Sequence, residues 1–297
     1  MEKTNIIELV RVLWDGTAAS KRRKVFREVQ KNIPEESRIL FQELASHYFN
    51  GAVDTQDSRI VILVHGIHTN GSWQQDVQEQ MLGVPHLRVQ ELGYDLVTGF
   101  HFALFSRSGP IDKILSEIKI IKREEPLAKI SVIAHSFGTY IISKILENNP
   151  DIRFDKIITC GSVISRNYNW TKYAPFSHST DIINDVGIRD LWPVIANCVT
   201  LGYGASGNQG FRTASATDRY FNYGHSDFFE PKNDHILKYW RPIFEDGVIP
   251  KSEVKLPKAN VPLLWFCHSK KGKAIPFGLY AAAVIGTLAG LAWWIFG

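Results

Sequence analysis

A serine set between a strand and a helix can serve as a nucleophile, and one pentapeptide of this 297-residue chain has that setting: Ala134-His135-Ser136-Phe137-Gly138. The run Lys129-Ile130-Ser131-Val132-Ile133-Ala134 reads as a strand, and the spacing of Tyr140, Ile141 and Ile145 predicts a helix over 137–148. A tight strand-to-helix turn needs small residues two before and two after the serine, because the two elements approach closely there. Gly138 fills one of these places, and Ala134 fills the other with one methyl more than the usual glycine. Such a turn would hold the Ser136 hydroxyl clear of the sheet, at the positive end of a helix. The same five residues also suit a plain N-cap, in which the hydroxyl only closes the helix.

Acyl transfer to a serine needs a second feature, backbone amides aimed at the oxyanion, each worth a few kcal/mol of barrier. Val64-His65-Gly66-Ile67-His68 follows the apolar run Ile60 to Val64, where a loop would lie beside the serine turn in a parallel sheet. The amides of Ile67 and Phe137 are the natural oxyanion donors. His65 and His68 precede the serine and sit in this loop, which favours packing or hydrogen bonding over service as a base.

These loops need a sheet to carry them. Ile60-Val61-Ile62-Leu63-Val64 is the unbroken aliphatic run of a strand covered on both faces. Further strands are expected at 100–105, 129–134, 156–160 and 181–186, with helices at about 75–82, 110–124 and 137–148 between them. Strands alternating with helices indicate an α/β fold with a mainly parallel sheet. Before it, Ile6, Leu9, Val10 and Leu13, then Val25 and Val29, then Ile39, Leu40 and Leu44 predict helices over residues 1–50. The run Lys21-Arg22-Arg23-Lys24 in that region reads as a solvated helix face rather than a lipid contact.

The strand-HG loop at Ile60 to Gly66 and the serine turn at Ala134 to Gly138 together resemble the α/β-hydrolase superfamily of serine esterases and lipases. The resemblance covers residues 58–245 and implies an α/β-hydrolase-type sheet flanked by helices. It also implies that an acid and then a histidine follow the serine in chain order. The strand at 181–186 leads into Asp185-Val186-Gly187-Ile188-Arg189-Asp190-Leu191-Trp192-Pro193, where the family's glycine, aspartate and proline match Gly187, Asp190 and Pro193. Asp190 is therefore the expected acid, with Asp185 as the alternative. Downstream, Tyr223-Gly224-His225-Ser226 ends an aromatic strand-like run and places His225 as the expected base, ahead of His235 in a helical pattern. The resemblance implies a Ser-His-Asp mechanism through an acyl-enzyme, with no cofactor and no metal.

The charge is local. Six lysines against Glu253 between Lys251 and Lys273 carry +5, so the rest of the chain, of net charge +4, holds close to −1. That distribution does not argue for a nucleic-acid footprint over the body, and no nucleic-acid partner is expected. The basic, proline-bearing stretch 246–273 reads as a linker to residues 274–297, which contain no charged side chain. As a helix, the 22 residues Ile275 to Phe296 would rise roughly 33 Å, enough for a hydrocarbon core of about 30 Å. A single-pass C-terminal (tail) anchor with the catalytic body cytoplasmic is the expectation, given the lysines on its near side. Gly278, Ala282, Gly286 and Gly290 form a small-residue stripe through which two such helices could self-associate. Residues 1–30 are charged throughout and lack the apolar run of a secretory signal. Three cysteines without motif spacing argue against a disulfide framework.

The tether makes a bilayer the expected partner and a lipid-like ester or acylated thioester the expected substrate. Two other readings accommodate the same residues. One is a catalytically silent scaffold of this fold at a membrane, and the other is a lipid-cleaving toxin or defence effector.

Overall fold

Aliphatic runs too apolar to face water on either side form the centre of a parallel sheet, six-stranded among the described residues. The computed structural model describes residues 3–17, 19–50, 58–66, 72–93, 107–174, 181–200, 202–252 and 254. The strands are β1 (Arg59–Val64), β2 (Leu87–Leu92), β3 (Lys129–His135), β4 (Lys156–Cys160), β5 (Asp181–Gly187) and β6 (Thr217–Phe221), in the order β2-β1-β3-β4-β5-β6. Four of the five expected strands are present within a residue or two. The fifth, at 100–105, lies outside the described residues. Sequence reasoning missed β2, whose Leu-Arg-Val-Gln-Glu-Leu buries only its two leucines. Among the described strands it is an edge, and an edge strand need not be apolar.

Successive side chains alternate between two cores, as the period of a strand requires. Ile60, Ile62, Val64, Ile130, Val132 and Ile157 pack with Ile114, Ile118 and Ile121 and with Ile141, Ile142 and Ile145. The first three helical residues lie on a helix at Ser108–Glu124, the other three on one at Phe137–Asn148. Val61, Leu63, Ile133, Ile158 and Ile183 face the other way, against Trp73 and Val77 of the helix Ser72–Met81 and against Ile236, Trp240 and Phe244. The sheet is thus sheathed in helices on both faces, as the resemblance implied.

Helices at Lys3–Gly16, Ala19–Asn32 and Glu35–Asn50 bear out the helical reading of the N-terminus. Ile6, Val10, Phe26, Ile33, Phe41 and Ala45 form their own core, closed by Leu82 from the sheet domain. Lys21 and Lys24 are exposed, whereas Arg22 is turned onto the Trp14 ring at 4.0 Å.

At the far edge the chain folds back along β6. Tyr220 bridges Val254, and the Tyr220 amide donates to Ser252 Oγ at 3.0 Å. The start of the expected linker is therefore laid on the sheet rather than free. Among the described residues no helix is long and apolar enough to cross a membrane, and the apolar segment 274–297 with its small-residue stripe lies outside them. Cys160 is free and buried, but Cys198 is disulfide-bonded, contrary to the expectation from the sparse cysteine count; Cys267 lies outside the described residues.

A buried polar strut joins the last strands. Asn184 on β5 accepts from Thr159 at 2.9 Å and donates to Asp218 on β6 at 2.7 Å. Burial raises the Asp218 carboxyl from its ordinary 3.8 to about 6, against the lowering effect of hydrogen bonds from Asn184 and the Phe211 amide. A carboxyl whose folded pKa is raised binds its proton more tightly folded than unfolded, so its contribution is full below about 3.8 and lost as pH rises through about 6. Asp218→Asn should therefore gain stability relative to wild type across that window, read as the difference in Tm between pH 4 and pH 7.

Candidate active site

The parallel sheet brings the ends of β1, β3, β5 and β6 to one edge, and the expected chemistry gathers there. Ser136 follows β3 directly and stands immediately before the 12-residue helix Phe137–Asn148. Its φ of 53° and ψ of −121° place a non-glycine residue in sparsely populated backbone space. Such a residue persists only where its surroundings over-determine it, at about 1–3 kcal/mol of strain. Here its amide donates to the Cys160 carbonyl at 3.0 Å, and its carbonyl accepts from the Thr139 hydroxyl at 2.6 Å. The hydroxyl of Ser136 makes no bond to its own helix, so the N-cap reading fails.

Packing explains the small residues around the serine. A Cβ on Gly138 would run into the carbonyl oxygens of Val64 and His65, and one on Gly66 would lie 2.7 Å from Ser136 Cβ. Ala134 is tolerated because its methyl joins the apolar core beside Val64. Gly138→Ala meets rigid backbone, so it should lose about 1–3 kcal/mol of stability and activity with it; a Tm unchanged from wild type would contradict this contact.

His225, in the loop after β6, presents Nε2 at 3.0 Å from Ser136 Oγ and Nδ1 at 2.8 Å from Asp190 Oδ2. Asp190 is fully buried, and its other oxygen accepts the Trp192 amide at 3.0 Å. The turn that carries it is closed by the Asp190 amide on the Gly187 carbonyl at 2.9 Å and held by Asn208, which donates to the Asp190 carbonyl at 2.8 Å. The acid and histidine loops are zipped together, since the amides of Ile188 and Arg189 donate to the carbonyls of Phe221 and Tyr223, each at 3.0 Å. The His225 side chain keeps 19% of its surface exposed and Ser136 is half-buried, whereas the Asp190 side chain is fully buried, so solvent reaches the hydroxyl and imidazole but not the carboxylate.

The alternative acid stands elsewhere. Asp185 lies within β5, paired across to Arg219 on β6, whose guanidinium grips it with two bonds of 2.6 and 2.8 Å. Trp240 Nε1 donates to Asp185 at 2.7 Å, and His235 Nε2 lies 3.0 Å from it. Burial works to raise the Asp185 carboxyl, but the Arg219 guanidinium and the His235 bond win and hold it well below the usual carboxylate range. Asp185 therefore does not reach His225, and His235, likewise buried, belongs to this internal cluster.

Of the oxyanion candidates, Phe137 opens the helix beyond the serine, while Ile67 lies outside the described residues, as does His68. His65 is buried, with Nδ1 2.6 Å from the Gly66 carbonyl, in keeping with a packing role. Sequence reasoning overlooked His135, which packs against His225 at a ring separation of 4.6 Å.

Residues 54–160 match the family described as "Putative serine esterase (DUF676)", a stretch that holds both the HG loop and the serine turn. With that match, the residues at the strand ends place the chain in a chemical class. It is a serine hydrolase. No curated protein matches the sequence. Solved structures similar to this serine hydrolase include one described as a "predicted CIB-like hydrolase" from Thermoplasma acidophilum (TM-score 0.41, 13% identity, 62% of this chain and 85% of that one). An arylesterase (0.45, 9%, 64% and 76%) and the lin2722 product of Listeria innocua (0.44, 12%, 66% and 97%) are further likenesses.

Proposed function

We propose that this serine hydrolase is a membrane-anchored esterase that cleaves a lipid-like carboxylic ester or acyl thioester with Ser136, His225 and Asp190 as its triad. The observation that carries the reading is the continuous line of 3.0 and 2.8 Å contacts from hydroxyl through imidazole to carboxylate. Ser136 Oγ attacks the carbonyl carbon as His225 Nε2 takes its proton. Asp190 accepts from Nδ1–H, fixing the tautomer and stabilising the imidazolium. The oxyanion rests on the amides of Phe137 and Ile67. His225 then returns the proton to the leaving alcohol or thiol, and water, deprotonated by the same imidazole, hydrolyses the acyl-enzyme.

Two features support a lipid-like substrate. Leu191, Trp192 and Ile195 stand 49%, 62% and 38% exposed beside the site, and the Trp192 ring lies 6.4 Å from that of His225. The uncharged residues 274–297, reached through the basic linker 246–273, would hold the 58–245 body beside a bilayer. The helices of residues 1–50 would form an N-terminal helical region packed on that body through Leu82.

A fluorophosphonate probe should label Ser136 of the purified protein, and hydrolysis should favour long acyl esters or phospholipid over short soluble esters. Turnover confined to short esters would overturn the lipid assignment. An unlabelled Ser136 would overturn the triad, as expected of a silent scaffold.

A further inference from the structure

We propose that His135 is a positioning residue, a neutral imidazole that donates Nε2–H to the main-chain carbonyl of His225 and so aims the base at Ser136. The inference rests on the reading of Ser136, His225 and Asp190 as the triad, and it concerns what holds the middle member in place.

His135 ends β3, immediately before Ser136, and is fully buried. Its Nε2 lies 3.0 Å from the His225 carbonyl oxygen. A carbonyl only accepts, so the proton of this bond belongs to Nε2. Nδ1 then carries a bare lone pair, with no partner among the described residues. A second proton would bury an unpaired N–H and a charge in apolar surroundings, which is unfavourable. The ring is walled edge-on by Phe229 at 5.0 Å and Trp73 at 6.2 Å. Burial first, then the nearby His225 and His65 imidazoles, hold its pKa well below the ordinary histidine value. These are the titratable groups that bear on it from the loops after β6 and β1.

Neutrality suits the neighbouring step. The two rings are 4.6 Å apart, so a cation at His135 would oppose the imidazolium that His225 must become. The contact also anchors the loop at the histidine itself. The Tyr223 carbonyl is held by the Arg189 amide and the Gly224 amide by Asp227, while the His225 carbonyl is held by His135. Gly161 makes room for the pair. It adopts φ +55°, and a Cβ there would lie 2.9 Å from His225 Cε1 and 3.1 Å from His135 Nε2.

The test uses the detergent-solubilised full chain with three substitutions. His135→Phe keeps the ring volume and removes the donor, His135→Gln places an amide donor near Nε2, and His135→Asn stops short of it. We expect the Phe and Asn variants to lose about 10- to 100-fold in kcat with KM within about twofold. Fluorophosphonate labelling of Ser136 should slow in parallel, and the acid limb of the kcat/KM pH profile should move. His135→Gln should recover to within about fivefold of wild type, which a purely structural role would not produce, with each Tm recorded beside it. A folded Phe or Asn variant with wild-type kcat, or a Gln variant as impaired as Asn, would overturn the proposal while Ser136 still labels. Absent labelling in the wild type itself would instead remove the triad reading and this inference together.

Discussion

Alanine at Ser136 or at His225 should lower kcat by about 10⁴- to 10⁶-fold while leaving KM near its wild-type value. Without Oγ there is no nucleophile, and without the imidazole 3.0 Å away nothing takes its proton during attack. Because the two act as one unit, the double variant should be hardly slower than either single one. The small residue of activity would come from binding and from the oxyanion amides, which neither substitution touches. Neither side chain carries a packing core, so Tm should move little. Steady-state rates on one ester, with protein concentration set by folded fraction, provide the measurement; additive losses in the double variant would contradict a concerted pair.

The two aspartates should fail in opposite ways. Asp190→Asn is expected to drop kcat by about 10⁴-fold, because an amide facing Nδ1 favours the wrong imidazole tautomer. Its fold should survive, since the side chain keeps an oxygen for the Trp192 amide. Asp185→Ala should instead lose about 3–5 kcal/mol of stability, because it leaves Arg219 charged and buried without its carboxylate. Turnover per folded molecule should then stay close to wild type. Denaturant melts beside kinetics on both variants separate the two roles. A stable, inactive Asp185→Ala would reverse the assignment.

Much of this arrangement could be read along the chain because it depends on near neighbours. The strand Ile60 to Val64, the turn Ala134 to Gly138 and the helix behind it announce themselves through patterns a few residues long, and each stands where expected. Strand β2 escaped notice for the converse reason: with one described strand beside it, its middle residues are not driven to be apolar. His135 escaped because a histidine beside a serine carries no sign of what lies across the sheet edge. Its partner is 90 residues away.

The amino-acid order by itself determined the chemistry on offer: a serine at a strand-helix turn, then two aspartates and two histidines downstream of it. It ranked Asp190 over Asp185 and His225 over His235 by likeness to a family. Only the tertiary structure separated them, since it contains both an Asp190–His225 pair and an Asp185–His235 pair. Asp185 sits inside β5, where parallel register sets it opposite Arg219 and strand alternation turns it toward the core around Trp240. Asp190 comes three residues beyond the strand, on a turn that has left the sheet and lies over the edge where His225 and Ser136 meet. Local pattern can place a carboxylate near the end of a strand, but which side of that end it occupies, and which imidazole waits there, is settled by contacts between residues far apart in the chain.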